Sequence, residues 1–209
     1  MIAARLAGAL RRRLWLSVCR LSGGLTVGGR WQTSGGCVLV ANHSSHLDSA
    51  ALLAALPSAA APMFGAAADY WFDRPVRRFV ATRLVGALPV PRYDRDSYAV
   101  LLAGARRALA AGHVVVLYPE GTRSPDGRVG EFHSGALRLA RDCGVPVVPA
   151  AVIGTAAVLP KGGRLTPAPM RVELGQPLDP HRVSTPRLRA EVVALLAGCP
   201  AAVADCEAA

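Results

Sequence analysis

The chain has 209 residues, 52% of them apolar and 5% aromatic, and it carries a formal net charge of +10. This length is typical of one domain with a sizeable core, here built mainly from Ala, Val and Leu. The charge, from 23 Arg and one Lys, favours an anionic membrane or a phosphorylated substrate as partner. Nucleic acid is not expected, because basic and aromatic residues are not interleaved and no nucleic-acid-binding motif is present.

Residues 1–22 are predicted to form an amphipathic helix, with leucines at helical spacing and arginines largely on another side. The segment is too short and too charged to span a bilayer, and it lacks the apolar core and cleavage site of a signal peptide. A basic amphipathic helix suits a membrane surface, whereas packing against the core with solvated arginines is an equal alternative. The expected membrane-contacting residues are Leu6, Leu10, Leu14, Arg12 and Arg13.

Residues 23–209 are predicted to form the main domain, in which strands and helices alternate. Strands are expected at 25–27, 37–41, 62–66, 86–92, 113–118, 145–153 and 170–174, and helices at 47–56, 70–85, 96–111, 135–142 and 185–197. This alternation predicts an α/β fold, with one layered domain whose central sheet is mostly parallel or mixed and flanked by helices. The N-terminal amphipathic helix precedes it.

Five cysteines are spread along the chain and form no Cys-x-x-Cys pair. Their odd number and wide spacing predict reduced thiols in a cytosolic compartment. The cysteines are Cys19, Cys37, Cys143, Cys199 and Cys206.

His43 directly follows the predicted strand at 37–41, and Asp48 lies in the first turn of the next helix. Open α/β sheets bind ligands at this carboxyl end of their strands. The strand–helix turn can bring the two side chains together, so that Asp48 accepts a hydrogen bond from one imidazole nitrogen. The other nitrogen would then face substrate, and His43 would act as a general base.

The spacing of His43 and Asp48 alone allows two other interpretations. Ser44 or Ser45 is expected to cap the following helix in any case. In one interpretation, Ser45 and Asp48 form a capping box, and His43 is only a polar loop residue. In the other, His43, His46 and Asp48 are zinc ligands.

Four blocks occur in order over about residues 25–155: Asn42-His43-x4-Asp48, Arg92 after an apolar strand, Tyr118-Pro-Glu-Gly-Thr-Arg-Ser124, and Val145-Pro-Val-Val-Pro149. Together they resemble the glycerolipid acyltransferase family, which includes the lysophosphatidic-acid acyltransferases. The Pro-Glu-Gly-Thr-Arg block is specific, and in combination with His-x4-Asp it disfavours the capping and zinc interpretations. Beyond this spacing, the sequence offers no third well-placed ligand and no partner that would orient the ligands by hydrogen bonds, so no metal is expected.

The resemblance implies transfer of a fatty acyl group from acyl-CoA or acyl-carrier protein to a hydroxyl of a lysolipid, in phospholipid biosynthesis. The acceptor that it favours is 1-acylglycerol-3-phosphate. His43 would remove the hydroxyl proton, and Asp48 would orient the imidazole and stabilise its cation. The acceptor would be bound by Glu120, Gly121, Thr122, Arg123 and Arg92.

The same resemblance implies two partners, an acyl thioester donor and a lysolipid acceptor, and no cofactor other than the donor. The net charge and the N-terminal helix add an anionic membrane surface as a partner, and nucleic acid is not expected. The expected location is the cytoplasmic face of the cell membrane, as a peripheral or monotopic protein.

Three departures from the family pattern leave an acceptor without phosphate open as an alternative. Ala66-Ala-Ala-Asp-Tyr-Trp71 stands where a lysine is frequent, and Phe132-His133-Ser134-Gly135 stands where Phe is commonly followed by lysine. The N-terminal segment is also a short helix instead of long hydrophobic spans. A catalytically silent, membrane-docked lipid-binding protein is the alternative of another class, although the intact His43 and Asp48 favour an enzyme.

Overall fold

The structure, a computed structural model, describes residues 2–91, 96–124, 127–160 and 162–198, with side chains from residue 6 onward. Arg92, a predicted acceptor-binding residue, lies outside the described residues, as do Cys199 and Cys206. Cys19, Cys37 and Cys143 are free thiols. Burial raises the pKa of Cys19 and of Cys37 to about 11, so both are protonated at neutral pH.

Seven strands form one sheet at the centre of the fold, in the order β1-β7-β6-β2-β5-β3-β4. Neighbouring strands are parallel except for the antiparallel pair β6 and β7, which confirms the predicted α/β fold with a mixed sheet. The strands are β1 Leu25–Gly28, β2 Cys37–Ala41, β3 Met63–Ala67, β4 Ala87–Val90, β5 Val114–Leu117, β6 Val147–Ile153 and β7 Met170–Leu174.

Helices cover both faces of this sheet. They are α1 Ile2–Leu21, α2 Leu47–Ala55, α3 Ala68–Trp71, α4 Pro75–Phe79, α5 Ser97–Ala110, α6 Gly135–Cys143, α7 Thr155–Val158 and α8 Thr185–Leu196. A 3-10 turn, Ser58–Ala60, and a π-helical turn, Val80–Val85, complete the set. On one face Leu39 of β2 packs in a buried cluster with Leu52 of α2, and on the other Val40 shares a cluster with Leu139 of α6 and Leu188 of α8.

The central strand β2 is buried along its whole length because sheet neighbours and helices surround it. Val40 is paired with Leu117 of β5 on one side and with Pro149 of β6 on the other. The three strands therefore end near one another. This register brings the segments that follow them to one edge of the sheet.

The helix predicted over residues 70–85 is wrong as one continuous element, because α3, α4 and the π-helical turn replace it. Pro75 occupies the first turn of α4, and the residue before it, Arg74, has extended backbone angles of φ −120° and ψ 138°. A residue that precedes proline avoids the helical region, so the helix has to restart at Pro75. The short helix α7 was not predicted.

The N-terminal helix α1 packs on the domain through a face other than that of Leu6, Leu10 and Leu14. Trp15 Nε1 donates to the carbonyl of Leu84 at 2.8 Å, and Arg12 Nε donates to the carbonyl of Leu56 at 2.9 Å. Leu6, Leu10 and Leu14 are 59%, 65% and 44% exposed, which disfavours the core-packing alternative for these side chains. Arg12 differs from the expectation, since its guanidinium turns toward the domain and leaves Arg13 as the exposed member of the pair.

Across the described ranges, no helix combines the length and the apolar character that a membrane span requires.

Candidate active site

The site is centred on His43 and Asp48, which the turn between β2 and α2 brings together as predicted. His43 Nδ1 lies 2.8 Å from Asp48 Oδ2. The Asp48 side chain is fully buried, whereas that of His43 is 19% exposed. A buried carboxylate thus holds one imidazole nitrogen, while Nε2 is left for another partner.

Three further donors stabilise the buried charge of Asp48. The backbone N–H groups of Ser44 and Ser45 donate to Oδ2 at 2.7 and 2.9 Å. The hydroxyl of Thr155 donates to Oδ1 at 2.5 Å. Such a set of hydrogen bonds compensates for the loss of water around a buried carboxylate and fixes the orientation of its two oxygens.

Ser44 and Ser45 were expected to cap α2, but neither occupies its cap position, so the capping prediction is wrong. The cap position is His46, and no side chain caps the helix there. Ser45 Oγ instead accepts a hydrogen bond from Leu47 N–H and donates to the carbonyl of Leu159. One half of a capping box is present, because Asp48 accepts from Ser45 N–H, but the same carboxylate also binds His43.

The segment after β5 supports His43 from the other side. The Tyr118 ring stacks on the imidazole, with 4.0 Å between centroids and 11° between planes. The hydroxyl of Tyr118 lies 2.9 Å from Ser49 Oγ of α2. Burial raises the pKa of Tyr118 well above its ordinary value, and the nearby Asp48 charge adds to this, so the tyrosine is a neutral platform for the imidazole.

Glu120, a predicted substrate-binding residue, is buried and uses both carboxylate oxygens on the backbone. Oε1 accepts from His43 N–H at 2.7 Å, and Oε2 accepts from Gly130 N–H at 2.8 Å. Ser124 N–H donates to the carbonyl of His43 at 2.7 Å. These bonds tie the loop after β5 to the loop that carries His43, so Glu120 supports the site without its carboxylate being free.

A cavity of about 460 Å³ opens beside His43. Its wall includes the predicted residues Gly121, Thr122 and Arg123 together with His46 and Ser49. No carboxylate within the described part of the chain forms an ion pair with Arg123, so its guanidinium can bind an anion. The apolar part of the wall comes from β3, β4, β5, α5 and the π-helical turn, with Phe64, Gly65, Ala81, Val85, Ala87, Val90, Leu101 and Leu117 among its residues.

His46, a candidate zinc ligand, lies at the same cavity. Partial burial lowers the pKa of His46, and the positive charge of Arg123 lowers it further. Its ring is 5.9 Å from that of Trp71 in an edge-on arrangement and 6.4 Å from that of Tyr70. In the regions that the structure describes, no three His, Cys, Asp or Glu side chains are grouped so that they could hold a metal ion.

Sequence reasoning missed the supporting roles of Tyr118, Thr155 and Asn42. The Asn42 side chain donates to the carbonyl of Val152 at 2.9 Å and accepts from its N–H at 2.8 Å, which joins the end of β2 to β6. Asn42 and Tyr118 lie within the recognised blocks, where their types were visible but their contacts were not. Thr155 lies beyond the last block, and its position beside Asp48 follows from the pairing of β6 with β2.

The fold and the site define a class of protein. The model of the family described as Acyltransferase matches residues 25–153, and the chain belongs to this family. In this sequence the matched range contains His43, Asp48 and the loop with Arg123.

Particular relatives share more specific names. The chain is 35% identical over 150 residues to the 1-acyl-sn-glycerol-3-phosphate acyltransferase BAT2 of Brassica napus, with 68% of this chain and 40% of the relative covered. It is 38% identical over 100 residues to the enzyme LPAT1 of Arabidopsis thaliana, which bears the same activity in its name, with 47% and 28% covered. The chain thus spans less than half the length of these relatives.

A similar fold occurs in the crystal structure of the 1-acyl-sn-glycerophosphate (LPA) acyltransferase PlsC from Thermotoga maritima. The two chains superpose with a TM-score of 0.71 at 25% sequence identity. The match covers 92% of this chain and 76% of the Thermotoga protein.

Proposed function

We propose that this protein transfers a fatty acyl group from acyl-CoA or acyl-carrier protein to the hydroxyl of a lysolipid, most specifically 1-acyl-sn-glycerol-3-phosphate, in phospholipid biosynthesis. The observation that carries this proposal is the His43–Asp48 pair at a cavity that is apolar on one side and has Arg123 on the other. The names of the relatives agree with this acceptor.

The reaction follows from the orientation of the imidazole. His43 Nε2 removes the proton of the acceptor hydroxyl while the hydroxyl oxygen forms a bond to the carbonyl carbon of the thioester. Asp48 stabilises the imidazolium that results, and the carbon–sulfur bond breaks when the tetrahedral intermediate collapses. The imidazolium then returns its proton to the leaving thiolate, so His43 is neutral again and no side chain is acylated.

Different parts of the cavity wall suit different groups of the substrates. The apolar wall, with Phe64 and Leu101, suits an acyl chain because its burial removes apolar surface from water. Arg123 suits the phosphate of the acceptor, since its planar guanidinium donates two parallel hydrogen bonds. Glu120 is proposed to keep the Arg123 loop in place through its two backbone hydrogen bonds, and Gly121 and Thr122 to line the acceptor end.

The direct test is an acylation assay with purified protein, a labelled acyl donor and a panel of lysolipids with and without phosphate. We expect the labelled product with 1-acylglycerol-3-phosphate. Acylation of only uncharged alcohols would assign the alternative acceptor. Lysolipid binding without any acyl transfer, from acyl-CoA or from acyl-carrier protein, would contradict the enzyme and favour a lipid-binding protein.

Replacing Arg123 with Lys tests the phosphate assignment, because lysine keeps the charge but loses the two-pronged geometry. A charge-assisted hydrogen bond contributes about 1.5–3 kcal/mol, so the KM of the acceptor is expected to rise roughly ten- to a hundredfold. The KM of the donor should change little. Steady-state kinetics with each substrate varied in turn measures both constants.

Arg128→Lys provides a control for the Arg123 variant, since Arg128 is exposed and does not line the cavity. Its two KM values should stay at the wild-type level. A donor-side defect of Arg123→Lys, with the acceptor unaffected, would show that this loop does not bind the acceptor.

The proposed location is a membrane surface, where α1 presents its leucines. Leu6, Leu10 and Leu14 form an outward stripe, and the exposed Arg13 lies on the same helix. Apolar side chains of such a helix insert at the headgroup boundary, and basic residues are attracted to anionic lipids. The proposed face is the cytoplasmic one, where acyl-CoA and acyl-carrier protein are available as partners.

Replacing Leu6, Leu10 and Leu14 together with Ser is expected to reduce binding to anionic vesicles at least tenfold, because each leucine loses apolar burial. Binding of the wild type should also fall as salt is added. Vesicle sedimentation measures both effects. A matched triple variant, with Val100, Leu165 and Val193 replaced by Ser, changes exposed apolar residues on other elements and should bind as the wild type does. Unchanged binding of the α1 variant would contradict the assignment.

A further inference from the structure

The segment that replaces the predicted helix over 70–85 has an exposed surface whose side chains do not line the cavity beside His43. Val76 and Phe79 of α4 are 75% and 58% exposed. Three arginines around them, Arg74, Arg78 and Arg83, are exposed as well. We call these five side chains the α4 surface. Large apolar side chains in contact with water, surrounded by one sign of charge, indicate an interaction surface.

The charge of the α4 surface is not neutralised by any acidic side chain of the described residues. Asp73 lies beside it, but that carboxylate pairs with Arg77 at 3.6 Å. Among the residues that the structure describes, no acidic side chain pairs with Arg74, Arg78 or Arg83. An apolar centre with unneutralised arginines is complementary to a surface that is anionic outside and apolar beneath, as a bilayer of acidic lipids is.

The position of this segment connects the surface with the cavity and with α1. Tyr70 and Trp71 of α3 and Ala81 and Val85 of the π-helical turn line the cavity beside His43. On another side the segment contacts α1, since Trp15 donates to the carbonyl of Leu84. A partner on the α4 surface would therefore contact the segment that forms part of the cavity wall.

We propose that the α4 surface is a second contact with an anionic lipid bilayer, additional to the leucines of α1. Val76 and Phe79 enter the headgroup boundary, and the three arginines lie among the lipid phosphates. Two separate contacts fix the orientation of the protein on the bilayer, whereas one helix would leave it free to rotate. The role of this orientation in delivering the acceptor rests on the proposed function.

The test uses the full chain with Val76→Ser and Phe79→Ser combined, leaving α1 intact. Partition onto vesicles of phosphatidylglycerol and phosphatidylcholine is expected to fall at least tenfold. A second variant, with Arg74, Arg78 and Arg83 each replaced by Gln, should lose about fivefold per arginine on these vesicles and little on pure phosphatidylcholine. The control replaces Val100 and Val193, exposed apolar residues of α5 and α8, with Ser, and should bind normally.

Wild-type partition in both α4 variants would overturn the proposal. So would wild-type self-association that disappears in the variants while vesicle binding stays, because a second copy of the chain would then be the occupant. Acylation of a short-chain, fully dissolved lysolipid is measured alongside and should match the wild type in all variants. Absence of that activity from the wild type itself would count against the proposed function, while vesicle partition would still decide the docking proposal.

A different observation concerns Thr155 at the start of α7. Its side chain is fully buried, and its hydroxyl donates to Asp48 Oδ1, the oxygen that does not face His43. The three donors on Oδ2 are His43 Nδ1 and two backbone groups. Of these four donors to Asp48, only Thr155 lies outside residues 43–45. Because Thr155 follows β6, its hydrogen bond holds the carboxylate to a separate part of the fold.

We infer that Thr155 is a positioning residue, which acts on the reaction through Asp48. Replacement by Val keeps the shape but leaves the buried Oδ1 without its donor. The kcat is expected to fall about ten- to a hundredfold, with the KM of both substrates within about twofold of the wild type, because Thr155 does not line the cavity. Thr155→Ser restores the hydroxyl and should recover most of kcat.

The control is Thr33→Val, which removes a half-buried hydroxyl that lies 3.8 Å from Cys37 Sγ, outside the site. Its kcat should be that of the wild type. Normal turnover of Thr155→Val, or a Thr155→Ser variant as slow as Thr155→Val, would overturn the inference. If Thr155→Val does not fold, Thr155→Ser and Thr155→Ala are compared instead. Both side chains are smaller than threonine, and only serine keeps the hydroxyl that donates to Asp48.

Discussion

A His43→Ala variant is expected to lose about 100- to 10,000-fold in turnover, the contribution of a positioned general base. The fold should be preserved, because the imidazole is partly exposed and contacts its surroundings mainly through Asp48 Oδ2 and the Tyr118 ring. Product formation at saturating donor and acceptor measures the turnover, and circular dichroism verifies the fold. Near-normal turnover of the folded variant would contradict the role of His43 as the base.

His46→Ala is the matched control, since His46 lies at the same cavity three residues further along the chain. It is expected to reduce turnover far less, because His46 makes no hydrogen bond to Asp48 in the structure. Equal losses in the two variants, reversed by added zinc, would instead support the metal interpretation.

An Asp48→Asn variant is expected to lose turnover on a similar scale, about 100- to 10,000-fold, although it keeps the shape of the side chain. A neutral amide cannot stabilise the imidazolium that forms when His43 takes the proton. Its oxygen can still accept from Ser44 and Ser45, and its nitrogen can donate to the Thr155 hydroxyl, so the turn should hold. The loss is expected in kcat, because Asp48 does not line the cavity.

Asp179→Asn is the control for this variant. Asp179 also accepts a backbone hydrogen bond, from His181 N–H at 2.9 Å, but it follows a residue that pairs with Val147 at the opposite end of β6. Its kcat should be unchanged. An Asp48→Asn protein with wild-type kcat would show that the carboxylate charge has no part in the reaction.

The sequence predicted the strands well because their signals are local. Runs of β-branched residues such as Val114–Leu117 can be buried on both faces only as central strands of a covered sheet. Helix ends were predicted where glycine marks them, as at Gly144, whose φ is 62°. The break before Pro75 also had a local signal, since the proline restricts Arg74, but the basic and apolar spacing concealed it.

Features that depend on strand order could not be predicted in the same way. Thr155 and Tyr118 reach the His43–Asp48 pair because β6 and β5 lie on either side of β2, and a single sequence does not give that order. Glu120 shows the same limit. A carboxylate in a recognised block was expected to bind substrate, whereas both of its oxygens accept backbone N–H groups, a use that only the folded loop reveals.

The amide clamp of Asn42 has a consequence for how the site opens. Because Asn42 holds both polar groups of Val152, the turn with His43 cannot separate from β6 without exposing buried backbone groups to water. The amide protons of Ser44 and Ser45, which Asp48 holds, should therefore exchange with deuterium only when the whole domain unfolds. The amide protons of Thr122 and Arg123 should exchange much earlier, through local openings of the loop that faces the acceptor. That loop would then open while the turn with His43 and Asp48 stays closed.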